Sequence, residues 1–405
     1  MGSKGSGYMD NENIGNSRVL LFILAVGVFG ILNTEMGFIG ILPYIAEAYQ
    51  VTVVQAGWLI SLFALGVAVA GPTMPLLLSR FNRKYLMVFI LGLFTLCNVT
   101  AVFAENFYVL LAVRVLPAFF HPVYCSMAFT VAAALARPGE APKAVAKINA
   151  GVAAGMVAGV PLSNFLAEQF SLSASMAFFA LATFAVLLLT LWLVPSMPVR
   201  KGMSYGSQLA VLRKPMLWAS IIAVIFLNGS IFGVFNYLAE YLGVVSGVAP
   251  TLVSILLFVY GLCNIGGSML AGSLLTVRPL LVVKAFPVAV ATVYLVLLGG
   301  GSAWPLMGLM VVLWGILGGI NANINQYWLA SAAPEAPDFA NGLFLTAANL
   351  GCVLGTTVSG RFIEAWGTGY VVLGGLLFCL LAALTVWAQC YQQRMNPSLT
   401  VQAEH

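Results

Sequence analysis

Charged side chains are scarce in this chain of 405 residues, which has only 17 lysines and arginines and 12 aspartates and glutamates. They make up 7% of the residues, whereas ordinary globular proteins contain roughly 25%. Hydrophobic residues account for 61% of the chain. Because so few polar groups cannot cover the surface of a soluble fold of this length, the composition excludes a soluble protein. It predicts a chain whose solvent is the lipid bilayer.

The chain also lacks the residue patterns of common catalytic and metal sites. It has two histidines, of which His405 is the last residue, and its six cysteines show no metal-type spacing. No Walker loop, HExxH motif or nucleophile elbow is present. We therefore expect neither an enzyme nor an ATP-driven pump, and no cofactor or metal ion. The net charge of +5 does not indicate a nucleic-acid partner, because in a membrane protein the position of the basic residues matters more.

Long apolar runs are abundant instead. Each is about 20 residues long or longer, which is enough to cross about 30 Å of hydrocarbon. Twelve such runs can be counted, at 19–46, 54–78, 85–104, 107–135, 146–168, 172–194, 216–243, 250–275, 280–300, 304–331, 340–362 and 369–391. They predict an all-α integral membrane fold with twelve transmembrane helices.

A polar segment near the middle of the chain divides these helices into two sets of six. The predicted domains are an N-terminal tail (1–18), a first six-helix bundle (19–194), a central loop (195–215), a second six-helix bundle (216–391) and a C-terminal tail (392–405). The N-terminal stretch MGSKGS formally fits an N-myristoylation pattern, but we interpret it as part of a polar tail without a cleavable signal.

The basic residues indicate how the helices are oriented. If the N-terminus is cytoplasmic, every lysine and arginine except Arg114 and Arg361 falls in or beside a cytoplasmic segment. This distribution obeys the positive-inside rule. We therefore expect a multi-pass protein of the plasma membrane (the inner membrane of a bacterium) with both termini in the cytoplasm.

The two halves carry an internal repeat at an offset of 200 residues. The motif NAGVAAGMVAG at 149–159 corresponds to NLGCVLGTTVS at 349–359, and His121 corresponds to Asn321. Repeats of this kind are typical of transporters built from two similar halves, with the substrate path between them. The sequence therefore predicts two pseudo-symmetric six-helix bundles.

These features resemble the major facilitator superfamily, and the local motifs resemble its twelve-span drug:proton antiporter branch. The closest likeness is to bacterial sugar-efflux and arabinose-efflux-type permeases, over roughly residues 19–390. The similar stretches are NTEMGFIGILPYIA in span 1, RVLPAFFHPVYCSMA in span 4, GVAAGMVAGVPLSNFLA in span 5 and LFLTAANLGCVLGTTVSG in span 11. The resemblance implies a secondary transporter that exchanges a solute for protons.

The loop after span 2 departs from the family pattern G-x-x-x-D-R-x-G-R-[RK]. Here it reads PLLLSRFNRK, so that Pro75, Ser79 and Asn82 replace the first glycine, the aspartate and the second glycine. The family's aspartate pairs with cationic groups to latch one conformation, and the change to serine puts that latch in doubt. The resemblance still implies a role in conformational switching for the basic residues that remain, namely Arg80, Arg83 and Lys84.

The span-5 motif has two interpretations. Its small residues Gly151, Gly155 and Gly159 permit close helix packing, as GxxxG motifs do, and Pro161 favours a local bend. The resemblance adds that this helix takes part in conformational switching by sealing the cavity against leak.

Glu35 is the acidic residue that most needs an explanation, because it lies within an apolar span. A carboxylate near the bilayer centre is costly unless it faces a cavity, is paired or is protonated. Burial disfavours the charged form of a carboxyl group, so such a group can bind and release protons. The sequence therefore favours Glu35 as a proton-coupling residue, and a purely structural hydrogen-bonding role is the alternative.

Two further residues are candidates for the same proton site. At 1.5 Å per residue, Glu35 and Arg114 lie at depths that differ by less than one helical turn, so the two can pair. The resemblance implies that Arg114 tunes the proton site, whereas a structural contact with backbone carbonyls is the alternative. His121 follows Arg114 by seven residues on roughly the same helix face. It is a candidate for relaying a proton or binding a solute hydroxyl, or for a neutral role in helix packing.

Uncharged polar and aromatic residues are predicted to bind the solute. In span 10, Asn321 and Asn325 are four residues apart and share a helix face, while Asn323 points elsewhere. The full predicted set is Asn33, Trp58, His121, Asn228, Phe232, Asn236, Tyr237, Asn321 and Asn325. A lining of this kind favours neutral or monocationic solutes over dianions.

The function predicted from the sequence is a proton-coupled antiporter that exports a small organic solute, such as a drug, sugar or nucleoside, by alternating access. The expected partners are the solute, protons and membrane lipid, and the expected active form is a monomer. The main alternative is a proton-independent facilitator or a solute importer of the same fold. A receptor or scaffold is a third possibility, but it would be expected to carry a sizeable soluble domain.

Overall fold

The computed structural model describes residues 14–51, 53–198, 205–300 and 304–395, and the regular secondary structure in these ranges is helical. The helices are α1 (Ile14–Ala48), α2 (Val53–Ala70), α3 (Met74–Leu78), α4 (Arg83–Val102), α5 (Phe107–Val115), α6 (His121–Leu135), α7 (Ala141–Gln169), α8 (Leu172–Leu193), α9 (Tyr205–Ala210), α10 (Pro215–Phe235), α11 (Leu238–Val244), α12 (Pro250–Val277), α13 (Pro279–Gly300), α14 (Trp304–Ala332), α15 (Pro337–Trp366) and α16 (Val371–Met395). Parts of the predicted terminal tails and central loop lie outside the described ranges.

Eleven helical segments in these ranges are long and apolar enough to cross a membrane. One of them, Phe107–Leu135, comprises α5 and α6. A further apolar helix, Gln55–Ala70, is shorter. The chain is therefore a multi-pass, all-helical membrane protein, as the apolar runs predict.

Three of the predicted spans are not single helices. The span predicted at 54–78 ends as a helix at Ala70 and resumes as α3 at Met74, because proline disfavours the helical conformation of the residue before it and the sequence here is Gly71-Pro72. The span predicted at 216–243 is divided between α10 and α11. The span at 107–135 contains a 3₁₀ turn, Leu116–Phe119, between α5 and α6.

Two compact units can be distinguished in the chain. The first comprises residues 1–66 and 80–202, and the second comprises residues 67–79 and 203–405. Residues 67–79 therefore cluster with the second unit, although the apolar runs assign them to the first six helices.

Each unit contains a pair of helices in very close contact at corresponding positions, α1 with α7 in the first and α10 with α15 in the second. In the second unit, α12 and α14 are in close contact as well. A Cβ atom added at Gly155 of α7 would lie only 2.8 Å from the backbone oxygen of Phe29 on α1, so only glycine fits there. Each such contact in the first unit has a counterpart 200 residues further on: Ala25–Gly151 and Ile225–Gly351, Phe29–Gly155 and Gly229–Gly355, Asn33–Gly159 and Gly233–Ser359. The same packing in both units supports the internal repeat.

Candidate functional site

The Glu35 carboxylate lies next to His121 in the first unit. Glu35 is on α1, His121 is the first residue of α6, and the Oε2 and Nε2 atoms are 3.3 Å apart. His121 is only 4% exposed, whereas the Glu35 side chain keeps 18% of its surface accessible. The pair is therefore largely buried, and part of the Glu35 side chain remains accessible.

Arg114 contacts Glu35 through the main chain. Its Nη2 atom donates a hydrogen bond of 2.8 Å to the backbone oxygen of Glu35. The guanidinium carbon lies 4.3 Å from the ring centre of Phe38 and 4.2 Å from that of Phe63, so the cation is held between two aromatic rings. Such cation–π contacts stabilise a buried charge. Arg114 is 3% exposed, and its Nε and Nη1 atoms have no hydrogen-bond partner.

A break in the helix places Arg114 and His121 on either side of a short turn. Arg114 lies in the last turn of α5, and the 3₁₀ turn Leu116–Phe119 separates it from the start of α6. Pro117 and Pro122 lack the backbone N–H that a continuous α-helix needs at those positions, which accounts for the break. The break therefore sets the position of both side chains relative to Glu35.

His121 has two further neighbours that the sequence did not suggest. The Sγ atom of Cys125 lies 3.6 Å from His121 Nε2, and the Phe63 ring is edge-on to the imidazole at 5.9 Å between ring centres. Glu35 Oε2 is buried and makes no hydrogen bond, so its contact with His121 Nε2 is a close approach of a carboxylate and an imidazole.

The other predicted solute-binding residues of the first unit lie apart from this pair. Asn33 is fully buried where α1 packs on Gly155 and Gly159 of α7, and neither amide atom of Asn33 has a hydrogen-bond partner. Trp58 on α2 is 40% exposed. Their assignment to solute binding stays a prediction.

In the second unit, three of the predicted asparagines form one cluster. The side chains of Asn321 and Asn325 both donate to Asn228 Oδ1, at 2.9 and 3.0 Å. Asn228 Nδ2 in turn donates to the backbone oxygen of Ala348 at 2.6 Å. Asn323 instead bridges to Ser268 on α12, at 2.8 Å from the hydroxyl oxygen. The four-residue spacing of Asn321 and Asn325 thus brings them to one partner.

The remaining predicted solute-binding residues of the second unit make other contacts. Asn236 donates to the Thr356 hydroxyl at 2.7 Å, and the Tyr237 hydroxyl donates to the Thr356 backbone oxygen at 3.3 Å. Phe232 is half-buried and lies edge-on to Phe235, 6.0 Å between ring centres. The structure does not bring these residues into the asparagine cluster.

The charged site of the first unit is not repeated in the second. At the offset of 200 residues, Phe235 and Trp314 stand in place of Glu35 and Arg114. Trp314 is fully buried and packs edge-on against Phe235, Tyr260 and Tyr294. The two halves therefore share their helix packing but differ in chemistry at this position.

The loop after α3 is held by hydrogen bonds of Asn82, which stands where the family pattern has its second glycine. Asn82 caps α4 by accepting from the backbone N–H of Lys84 at 3.0 Å, and its Nδ2 donates to the Ser196 hydroxyl at 2.8 Å. The backbone N–H of Arg83 donates to the carbonyl of Met197 at 3.2 Å, and Arg80 is exposed. The loop is thus tied to the segment that follows α8.

Ser79, which stands where the family pattern has an aspartate, has a side-chain hydrogen-bond partner. Ser79 Oγ accepts a hydrogen bond from Gln208 Nε2 at 2.9 Å, within the second unit.

Gly155 and Gly159 of the span-5 motif lie against the backbone of α1, as the packing interpretation requires. Helix α7 continues through the exposed Pro161 to Gln169. A switching role for these residues stays a prediction.

Some neighbours of the candidate site had a signal in the sequence and others had none. Phe38 follows Glu35 by three residues and Cys125 follows His121 by four, spacings that place each pair on one helix face. Phe63 comes from another helix, and no local pattern distinguishes it from the other phenylalanines of the chain.

Comparison with known proteins places these features in a family context. The family model described as Major Facilitator Superfamily matches residues 24–356. A Bacillus subtilis (strain 168) protein described as the uncharacterized MFS-type transporter YtbD is 30% identical over 95% of this chain and 99% of its own length. The inner membrane transport protein YdhP of Escherichia coli (strain K12) is 28% identical over 92% and 96%. A probable sugar efflux transporter of Pasteurella multocida (strain Pm70) is 25% identical over 90% of each chain.

A solved structure agrees with the fold. A crystal structure of the E. coli fucose:proton symporter FucP matches with a TM-score of 0.76, covering 94% of this chain and 99% of that chain at 14% identity. At this identity the match concerns the fold alone. These similar proteins are transporters and not enzymes, as the lack of catalytic motifs predicts.

Proposed function

The chain belongs to the Major Facilitator Superfamily, and we propose that it is a proton-coupled antiporter that exports a small organic solute by alternating access. Relatives named as sugar efflux transporters favour export, and an inner membrane relative favours the bacterial inner membrane as its location. The distribution of lysines and arginines favours cytoplasmic termini. A drug, a sugar or a nucleoside remains a candidate for the solute.

One observation carries the proton-coupling part of this proposal: the buried contact between Glu35 and His121. Both side chains are titratable, and a change in the surroundings of a titratable group changes how strongly it binds a proton. A largely buried carboxylate costs free energy in the charged form unless it is paired, and the imidazole and the nearby Arg114 guanidinium provide that pairing. A structural shift that weakened either contact would favour protonation of Glu35.

Proton and solute movement are coupled because pairing of the Glu35 carboxylate with its neighbours competes with its protonation. In a conformation in which Glu35 is well paired, its proton is released, and in a conformation in which the pairing is weaker, a proton is bound. If solute is exchanged for the proton between these conformations, the proton gradient drives export. One charge crossing 100 mV supplies about 2.3 kcal/mol, which sustains roughly a fiftyfold solute gradient.

Arg114 positions α1 in addition to supplying a positive charge. Because its hydrogen bond is to the Glu35 backbone, the guanidinium holds α1 in place whether or not the carboxylate is protonated. Its positive charge still stabilises the ionised carboxylate nearby. We therefore assign Arg114 to positioning and electrostatic tuning, and proton binding to Glu35 and His121.

The test is transport by purified protein in liposomes with an imposed pH gradient. Glu35→Gln preserves shape and removes titration, so it should abolish uphill export while solute binding and downhill exchange continue. Glu364→Gln is the matched control, since Glu364 is an exposed partner of Arg361. Proton flux on solute addition, read with an internal pH dye, should disappear only in Glu35→Gln.

Retention of uphill export with wild-type pH dependence in Glu35→Gln would overturn the assignment. Coupling would then have to be sought at His121 alone or at Glu240, whose side chain lies outside the described part of the structure. Wild-type transport that ignores the pH gradient would instead indicate the proton-independent facilitator.

A further inference from the structure

Phe63 of α2 contacts both Arg114 and His121. Its ring centre lies 4.2 Å from the guanidinium carbon of Arg114 and 5.9 Å from the ring centre of His121. Phe38 also faces Arg114, but its ring packs on Phe179 and not on the imidazole. Phe63 is 1% exposed, so its ring is enclosed by these neighbours. A displacement of Phe63 therefore changes the surroundings of Arg114 and His121 together.

Helix α2 also packs on the turn that separates those two residues. One helical turn beyond Phe63, a Cβ atom added at Gly66 would lie 3.0 Å from Ala118 Cβ, in the 3₁₀ turn Leu116–Phe119. Phe63 and Gly66 belong to one buried face of α2, whose residues recur every three or four positions. The buried residues of this face are Ala56, Leu59, Phe63, Gly66, Val67 and Ala70.

The C-terminal end of α2 belongs to the second unit, because residues 67–79 cluster with that unit. Just beyond this end, a Cβ atom added at Gly342 of α15 would overlap the carbonyl oxygen of Gly71, so the two backbones are in direct contact. One turn further along α15, Thr346 Oγ1 donates to the backbone oxygen of Ala68 at 3.5 Å. Helix α2 thus packs on α15 at one end, while its middle packs in the first unit.

The helix is continuous between these two sets of contacts. It runs without interruption from Val53 to Ala70, and the stretch from Phe63 to Gly71 spans about 12 Å. In proteins that switch between conformations, helices shift as units by about 1–2 Å at packing interfaces. A shift of α2 on α15 is therefore carried to Phe63.

We infer that Phe63 positions Arg114 and His121 at the proposed proton site, and that α2 transmits the state of its contact with α15 to them through this residue. The inference rests on the proposed function, and it adds the residue and the helix that set the geometry of the proton site. Phe63 has no titratable group, so it acts through its neighbours as a positioning residue. Packing of α2 on α15 and proton binding at Glu35 and His121 are then linked.

Few charged groups face His121, so an effect of packing can be separated from an effect of charge. Glu35 on α1 contacts the imidazole, Arg114 on α5 contacts the same glutamate, and Cys125 is a titratable neighbour on α6 itself. Helix α2 carries no acidic or basic residue. On α1, α4 and α7, which pack on α6, the other charged residues lie near the helix ends: Arg18, Glu47, Arg83, Lys84, Lys143, Lys147 and Glu168.

The experiment observes His121 by NMR, without solute and without a pH gradient. The chain has two histidines, so protein with isotope-labelled histidine in detergent micelles gives one imidazole signal from His121 and one reference signal from His405. His405→Gln assigns the two signals. The chemical shift of each signal is followed against pH. Phe63→Leu removes the aromatic ring, whereas Gly342→Ala and Thr346→Ala change the contact of α15 with α2.

We expect Phe63→Leu to change the chemical shift of His121 and to move the midpoint of its pH titration by about half a pH unit, which is roughly a threefold change in proton binding. Gly342→Ala and Thr346→Ala should move the same midpoint, although both positions are on α15 in the second unit. None of these substitutions changes a charge. The His405 signal should stay as in the wild type in all of them.

Two controls match these changes. Phe378→Leu removes a buried ring from α16, and Gly308→Ala adds a methyl group where a Cβ atom would meet nothing within 4 Å. Both should leave the His121 titration as in the wild type.

Leu65→Gly tests whether α2 transmits the effect as a rigid unit. Leu65 is exposed and lies between Phe63 and the residues that pack on α15. A second glycine beside Gly66 makes the helix easier to bend. Combined with Thr346→Ala, Leu65→Gly should reduce the effect on His121. Leu62→Gly, on the other side of Phe63, is the control and should not reduce it.

An unchanged His121 titration in Phe63→Leu would overturn the positioning role. Unchanged His121 signals in Gly342→Ala and Thr346→Ala, or an undiminished effect of Thr346→Ala in the Leu65→Gly background, would overturn transmission through α2. Thr346→Ala only removes atoms, so a folding defect in Gly342→Ala does not remove the test. Because His121 is observed without solute or gradient, a failure of proton-driven transport would count against the proposed function and would not alter these measurements.

Discussion

Arg114 and Glu35 meet through the main chain of Glu35, with the guanidinium Nη2 atom 2.8 Å from the carbonyl oxygen. The carboxylate of the same residue lies against His121, at 3.3 Å from Nε2. Two different groups thus hold the backbone and the side chain of Glu35. The contact of the side chain with His121 can therefore change while α1 stays attached to α5.

The first prediction concerns the two phenylalanine rings around Arg114. Arg114→Lys keeps the positive charge but replaces the planar guanidinium by a compact ammonium group. An ammonium group cannot stack between Phe38 and Phe63 while it donates to the Glu35 carbonyl. We expect uphill export to fall about tenfold, which corresponds to a loss of about 1.4 kcal/mol. Transport in liposomes and thermal unfolding in detergent are the measurements.

Arg361→Lys is the control for this change, because Arg361 is an exposed residue of α15 whose partner is Glu364. It should behave as the wild type. Wild-type export and stability in Arg114→Lys would show that the planar shape of the Arg114 guanidinium is not required.

The second prediction tests the close helix contacts in both units. Gly155→Ala and Gly355→Ala each place a methyl group against the backbone of the facing helix. Overpacking of this kind lowers the free energy of unfolding by about 1–3 kcal/mol. The loss should be similar in the two variants, because the contacts correspond at the repeat offset. Thermal unfolding of the purified proteins measures it.

Gly92→Ala provides the comparison, since a Cβ atom at Gly92 of α4 would meet nothing within 4 Å. Alanine is the better helix former, so this variant should be as stable as the wild type or slightly more stable. Equal stability of all three variants would contradict the tight packing.

The third prediction concerns Asn82, which stands where the family pattern has glycine. Asn82→Ala removes the cap of α4 and should cost about 1 kcal/mol of stability, whereas Asn82→Gly should cost only a few tenths. Ser196→Ala removes the acceptor of the Asn82 Nδ2 hydrogen bond and leaves the cap in place. If thermal unfolding ranked Asn82→Gly below Asn82→Ala, the capping role would be wrong.

The fourth prediction concerns conformational switching at Arg83, the first residue of α4. We expect Arg83→Ala to slow turnover severalfold while changing solute affinity less, because the family resemblance implies a switching role for the basic side chains of this loop. The backbone hydrogen bond from Arg83 to Met197 is unaffected by the change. Turnover and binding are measured on the same preparation. Arg278→Ala, at the end of α12, is the control, and equal turnover in the two variants would class Arg83 with ordinary cytoplasmic basic residues.

Much of the fold could be predicted from the sequence. Apolar runs long enough to cross the bilayer predict the positions and order of the spanning segments, because a segment that crosses a membrane must satisfy its backbone hydrogen bonds internally. They do not predict the breaks within three of these segments. The stripe Gly151, Gly155 and Gly159 and its counterpart at 351–359 predict close packing, because a helix backbone can approach another only where side chains are small. Glu35 and Arg114 are conspicuous because charges inside apolar runs are rare.

What the sequence by itself determined is therefore the membrane class, the order of the spanning segments, the repeat and a short list of polar candidates. Only the tertiary structure decided which candidates meet. It placed His121 on the Glu35 carboxylate, Arg114 on the Glu35 carbonyl between Phe38 and Phe63, and both Asn321 and Asn325 on Asn228. Hydropathy records how deep a residue lies along its helix, whereas contact between helices depends on rotation about each axis and on breaks such as the one at Pro117, which packing sets.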